Sequence, residues 1–157
     1  MRNIQIKLIL VATVLLTSCG FKQVEQRDGA LIYLKNVSVI GEQRISYLLK
    51  NNILLISNRN SENKYDSEIT TIKNKEAKIK DSTGKVTRYS LSVTANLKLI
   101  NIEDKTEIKK IFTQNSNYDV AKNHSNTISN EKIATKNIIQ QLSDDITNFI
   151  TLTMRRR

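Results

Sequence analysis

The sequence has no proline and no tryptophan, and its one cysteine is Cys19. A lone cysteine excludes an internal disulfide, so packing alone must hold the domain together. It also excludes a cysteine-ligated metal centre, which gathers several thiolates on one ion. Histidine is equally scarce. His124 stands alone in a polar stretch, where the expected role is that of a surface residue. The four glycines, Gly20, Gly29, Gly41 and Gly84, lie too far apart to form a phosphate-cradling loop. Aromatic residues amount to 5%. Two acidic pairs, Glu103/Asp104 and Asp144/Asp145, are adjacent in sequence. Neighbours on a strand or helix point in different directions, so neither pair converges as an acid–base dyad. No catalytic constellation emerges, and the chain reads as a non-enzyme without cofactor or metal.

Of the 157 residues, 39% are apolar, enough for one compact domain and too few for two. Charged residues make up 25%, which argues against wholesale disorder. The formal net charge is +10, and removal of the first eighteen residues would take Arg2 and Lys7 from it. A basic protein suits nucleic acid, anionic lipid or an acidic glycolipid. Lys, Asn and Ile are all heavily used, which weakens any argument from bulk charge. Much of the excess reads as a solvated lysine-rich surface, and nucleic acid is not an expected partner.

Residues 1–18 read as a signal segment. Arg2 and Lys7 give a basic start, and residues 8–16 form an apolar run too short to span a bilayer. Leu16-Thr17-Ser18-Cys19 is similar to the bacterial lipobox, with an aliphatic residue, two small residues and the acceptor thiol. Cys19 is therefore the expected lipidation site and the first mature residue, and covalent lipid would hold it to a membrane. Gly20 in place of an aspartate favours the outer membrane. With Cys19 acylated, no Cys/His pair remains for nucleophilic catalysis.

Residues 19–29 read as an acylated tether that ends in a turn signal, Asp28-Gly29. A single domain follows over residues 30–157. Residues 30–39 are rich in Leu, Ile, Tyr and Val and suit a strand, which Gly41 breaks. Ile45, Leu48, Leu49, Asn52, Ile53 and Ile56 recur at helical spacing, marking an amphipathic helix over residues 42–56. Residues 57–65 read as a loop and residues 67–80 as a weakly patterned strand. Asp81-Ser82-Thr83-Gly84 is a turn. Beyond it, Tyr89, Leu91, Val93, Ala95, Leu97 and Leu99 alternate with polar residues, the pattern of an antiparallel strand with one buried face. Ile108, Lys110, Phe112 and Gln114 continue into a further strand ending near Tyr118. A closing helix is expected from an N-cap at Ser129 to about Met154. Its stripe comprises Ile128, Ala134, Ile138, Ile139, Leu142, Ile146, Phe149 and Ile150. The expected fold is α+β, in the order β-α-β-β-β-α. Two helices would pack on one face of a four-stranded mixed sheet.

The layout resembles the lipopolysaccharide-assembly lipoprotein family LptE. The resemblance begins at Cys19-Gly20-Phe21 and continues through Tyr47-Leu48-Leu49 to the hairpin segment from Gly84 to Leu91. It then runs through Lys110-Ile111-Phe112, Tyr118-Asp119 and the long closing helix. It implies an outer-membrane lipoprotein on the periplasmic side, acting as plug and partner of an LptD-like β-barrel. It also implies binding of lipopolysaccharide, a phosphorylated polyanion suited to Lys and Arg donors. Lys80, Lys85 and Arg88 bracket the turn at Asp81 and are the expected ligand-binding residues; as edge charges they would instead guard a sheet edge. Arg155–Arg157 suits either an anionic glycolipid or the negative end of the last helix. The other reading is an envelope lipoprotein of another class, a pilotin or scaffold with a different protein partner.

Overall fold

The computed structural model describes residues 32–155. The expected signal segment, Cys19 and most of its tether, together with Arg156 and Arg157, lie outside them. The elements are β1 (Tyr33–Ile40), α1 (Gln43–Leu54), β2 (Lys64–Lys80), β3 (Val86–Asn101), β4 (Glu107–Asp119) and α2 (His124–Arg155). The strands form one sheet in the order β1-β2-β3-β4. β1 and β2 are parallel, and α1 supplies the crossover between them; β2, β3 and β4 are antiparallel neighbours. This is the expected α+β mixed sheet with two helices.

Alternation builds the core. On β3, Leu91, Val93, Ala95, Leu97 and Leu99 are buried while the residues between them are partly exposed. Ile69 of β2 stands opposite Leu97. α1 contributes Ile45, Leu49 and Ile53, and α2 contributes Ile138, Ile139, Leu142, Ile146 and Ile150. Each such side chain taken from water contributes about 1.5–3 kcal/mol before the entropy cost. Small polar residues on α2 fit beneath α1, where the Ser143 hydroxyl donates to the Ile139 carbonyl and accepts from Asn52. The opposite sheet face carries Ser90, Ser92, Thr94, Asn96, Thr113, Asn115 and Asn117, with Ile72 and Ile111 exposed among them.

α1 ends at Leu54, two residues short of the expected end, and two further boundaries differ from expectation. β2 begins at Lys64, inside the stretch that reads as a loop. Tyr65 explains it: in register with Leu34 of β1 and Asn101 of β3, it is almost wholly buried, so pairing overrides its polar neighbours. α2 begins at His124, not after Ser129. Asn123 is the cap; its Oδ1 accepts from the Ser125 N–H at 2.9 Å. Ser129 lies exposed within the second turn, and Ile128 is 41% exposed rather than part of the buried stripe.

Gly41 ends β1 for a steric reason. Its φ is +144°, and a Cβ there would lie 2.0 Å from Thr71 Oγ1 and 2.7 Å from the Thr71 carbonyl oxygen. The Thr71 hydroxyl donates to the Ile40 carbonyl at 3.1 Å. β1 therefore pairs with β2 only as far as Thr70, and β2 runs on to Lys80 with a free edge.

The molecule has two distinct ends. At one, the tip, the β2–β3 turn projects past the helices. At the other, the base, Tyr33 pairs with Lys64 and the Ile102 N–H donates to the Lys64 carbonyl. The segment after α1 joins the base, since Asn58 donates to the Ile32 carbonyl at 2.9 Å. α2 runs from tip to base. Glu131 meets Tyr118, Asp145 meets Gln114, and Phe149 packs edge-on against Phe112 with centroids 5.7 Å apart.

Candidate functional site

The tip is organised by Asp81. Its Oδ1 accepts the Thr83 hydroxyl at 2.6 Å, the Thr83 N–H at 2.9 Å and the Lys85 N–H at 3.0 Å. These bonds, the Thr83 hydroxyl foremost, hold the carboxyl below the usual carboxylate range. Gly84 takes φ +83°, a left-handed position that glycine adopts without strain. The acid at the turn is thus turned onto its own backbone. Lys80 and Lys85 flank it, both exposed, and among the described residues neither has an ion-pair partner.

Arg88 belongs to the same hairpin but is differently placed. It stands opposite Ile79 on β2 and Asp119 on β4. Its guanidinium grips Asp119 with Nε–Oδ1 at 2.5 Å and Nη2–Oδ2 at 3.1 Å. The pairing raises the Arg88 pKa and lowers that of Asp119. The structure therefore leaves Lys80 and Lys85, on either limb of the turn, without a salt bridge and commits Arg88 to a carboxylate. An anion that displaced Asp119 would gain the Nε and Nη2 donors of Arg88.

Sequence reasoning missed a second charged group, on the helix-facing side of β2. Lys75 Nζ lies 2.7 Å from Glu131 Oε2 and sits 4.5 Å from the Tyr89 ring centre and 5.3 Å from that of Tyr118. The two rings stack with centroids 5.5 Å apart. The Tyr118 hydroxyl donates to Glu131 at 2.8 Å. Lys73 reaches both Glu42 and Glu131, at 3.1 and 3.5 Å. Burial opposes the charge on Lys75, but Glu131 and Tyr118 outweigh it and raise its pKa. Lys75 in turn holds Glu131 low, against its burial. Burial, with Glu131, pushes the Tyr118 hydroxyl up against the pull of Lys75.

Beside this group lies a shallow cavity of about 250 Å³, lined by Glu42, Arg44, Lys73, Ile128, Glu131, Lys132 and Thr135. The sequence held a signal for the two lysines alone, since Lys73 and Lys75 continue the inward parity of Ser67, Ile69 and Thr71, and none for their partners. His124 caps nothing buried and stands exposed at the start of α2. Among the described residues, no three His, Cys, Asp or Glu side chains gather as a metal site.

A family profile described as LptE, lipopolysaccharide-assembly, matches residues 26–150. The chain belongs to the LptE family. The match spans every element from β1 through most of α2, including the hairpin and the Lys75 cluster. Solved lipoprotein structures agree in architecture. A protein from Caulobacter crescentus CB15 designated a lipoprotein has a TM-score of 0.56 at 15% identity, over 80% of this chain and 91% of that one. Rare lipoprotein B from Shewanella oneidensis has a TM-score of 0.55 at 12% identity, over 77% of this chain and 97% of that one. Lipoprotein B from Nitrosomonas europaea gives 0.51 at 14% identity, over 82% and 90%. At these identities the likeness is one of fold. No curated protein matches the sequence.

Proposed function

We propose that this LptE family member is a non-catalytic lipoprotein, acylated at Cys19 and held at the periplasmic side of the outer membrane. There it plugs an LptD-like barrel and binds lipopolysaccharide during assembly at the surface. The family match over residues 26–150 carries the reading. The run of Ser, Thr and Asn on the outer sheet face, interrupted by Ile72 and Ile111, supports it, because the lumen of a large membrane barrel is polar and water-filled. Lys80 and Lys85 supply unpaired ammonium groups at one tip for phosphate. Arg88 adds a third donor once Asp119 is exchanged for a stronger anion.

The decisive experiment is crosslinked co-purification of the acylated protein from membranes, with identification of the barrel recovered. Absence of any large barrel sinks the reading. For the ligand, we expect Lys80→Glu combined with Lys85→Glu to weaken lipopolysaccharide binding at least about tenfold, as loss of one charge-assisted bond would. The melting temperature should move little, because neither ammonium is in a salt bridge and Lys85 adds only a weak favourable field on Asp81. Unchanged binding removes the tip as the site.

A further inference from the structure

We infer that the base of the domain is a membrane seat. Leu55 enters the interfacial layer of an anionic phospholipid bilayer, and Arg59, Lys105 and Arg155 lie over the headgroups. The inference rests on the acylation of Cys19 proposed above.

Leu55 follows the last residue of α1 and is 83% exposed. A single exposed leucine needs no explanation on its own. Its position supplies one. The segment carrying Leu55 is bonded to the start of β1, through Ser57 paired with Ile32 and Asn58 bonded to the Ile32 carbonyl. The chain that leads from Cys19 therefore enters the domain beside Leu55. Ile32 lies thirteen positions after Cys19, a reach of at most roughly 45 Å. Lipid on Cys19 would keep the base close to the bilayer. The tip lies a further 17-residue strand away, about 55 Å at ordinary strand rise. Tethering raises the effective concentration of the base at the surface, so a weak contact is enough to be populated.

The charges at the base fit this placement. Lys105, at φ +60° in the β3–β4 turn, is exposed, as are Arg59, Lys64 and Arg155. Glu62, Glu103 and Asp104 share the end, and Asp104 Oδ1 accepts from the backbone and hydroxyl of Thr106. Arg59, Lys64, Lys105 and Arg155 outnumber these three carboxylates. Leu152, also more than half exposed, lies on the last turns of α2 at the same end. Apolar residues ringed by Lys and Arg are the surface that interfacial proteins lay on anionic lipid.

The chain has no tryptophan, so Leu55→Trp is a clean reporter. The acylated variant is reconstituted into phosphatidylethanolamine–phosphatidylglycerol vesicles, and intact mass establishes the acyl group first. We expect blue-shifted emission, with roughly half of it quenched by brominated acyl chains, as for a ring at the headgroup boundary. Ser82→Trp at the tip should keep its solvent-like emission. In the unsubstituted protein, vesicles should slow tryptic cleavage after Arg59 and Lys105 and leave cleavage after Lys85 unchanged. Solvent-like, unquenched emission from Leu55→Trp on acylated protein overturns the seat while the anchor stands. Equal quenching at both positions means the domain lies flat, and this also overturns it. A mass showing unmodified Cys19 removes the anchor and the seat with it.

Discussion

Single residues decide where this fold bends and how it responds to pH. Gly41 cannot carry a side chain without striking Thr71, and its φ is one that L residues rarely adopt. We expect Gly41→Ala to lower stability by about 2–4 kcal/mol in urea denaturation, through strain and loss of the Thr71–Ile40 bond. Glu131 offers a test of a different kind. Lys75 holds its carboxyl below the ordinary value of 4.5. Its contribution is therefore fully present above that pH and is lost as pH falls through the lower, folded-state value. Glu131→Gln should cost about 1–2 kcal/mol at neutral pH, since it leaves Lys75 and the Tyr118 hydroxyl with a weaker acceptor. The gap between variant and parent should then narrow on acidification below pH 4.5. A constant gap across that range would show that the charge of Glu131 does not matter.

At the scale of elements, strong periodicity was legible and local chemistry was not. The buried stripe of β3 and the run from Ala134 to Ile150 could be read directly, because alternation and helical spacing are written in apolar residues. The start of α2 could not, since the stretch from Asn123 to Asn130 is polar whether helical or not. The helix there is held by local bonds that include the Ser125 N–H donating to Asn123 and the Ala121 N–H donating to Thr127. Asn123→Ala should cost about 1 kcal/mol, whereas Ser129→Ala, within an exposed turn, should change stability by less than about 0.5 kcal/mol. Thermal melts of the two variants separate the assignments. β2 shows the same limit. Tyr65 sits among polar residues that look like a loop, and only its neighbours on β1 and β3 make it a strand residue.

For the whole molecule, the sheet divides its faces between helices and water, and its ends between base and tip. The candidate site was partly legible. Lys80 and Lys85 stand out on either side of a turn, and the structure leaves both unpaired. The engagement of Arg88 by Asp119 was hidden, because the partner is 31 residues away and becomes a neighbour only through the β3–β4 register. The Lys75–Glu131–Tyr118 group was hidden for the same reason. It joins three elements and gives the tip end of α2 an electrostatic attachment where the apolar stripe has run out.

The parallel pairing of β1 with β2 has a mechanical consequence. β1 begins at the base and the hairpin ends at the opposite pole, so a load applied between residue 32 and Gly84 acts along the strands. The ladder between β1 and β2 would then be sheared, with its bonds strained together rather than peeled one after another. A load between residue 32 and Arg155 is different, because both lie at the base, and it would lift α2 away from its last turn. Optical-tweezer pulling from the first pair of positions should therefore require a higher rupture force than pulling from the second. A chain held at residue 32 while its hairpin is gripped would be loaded in its stronger direction.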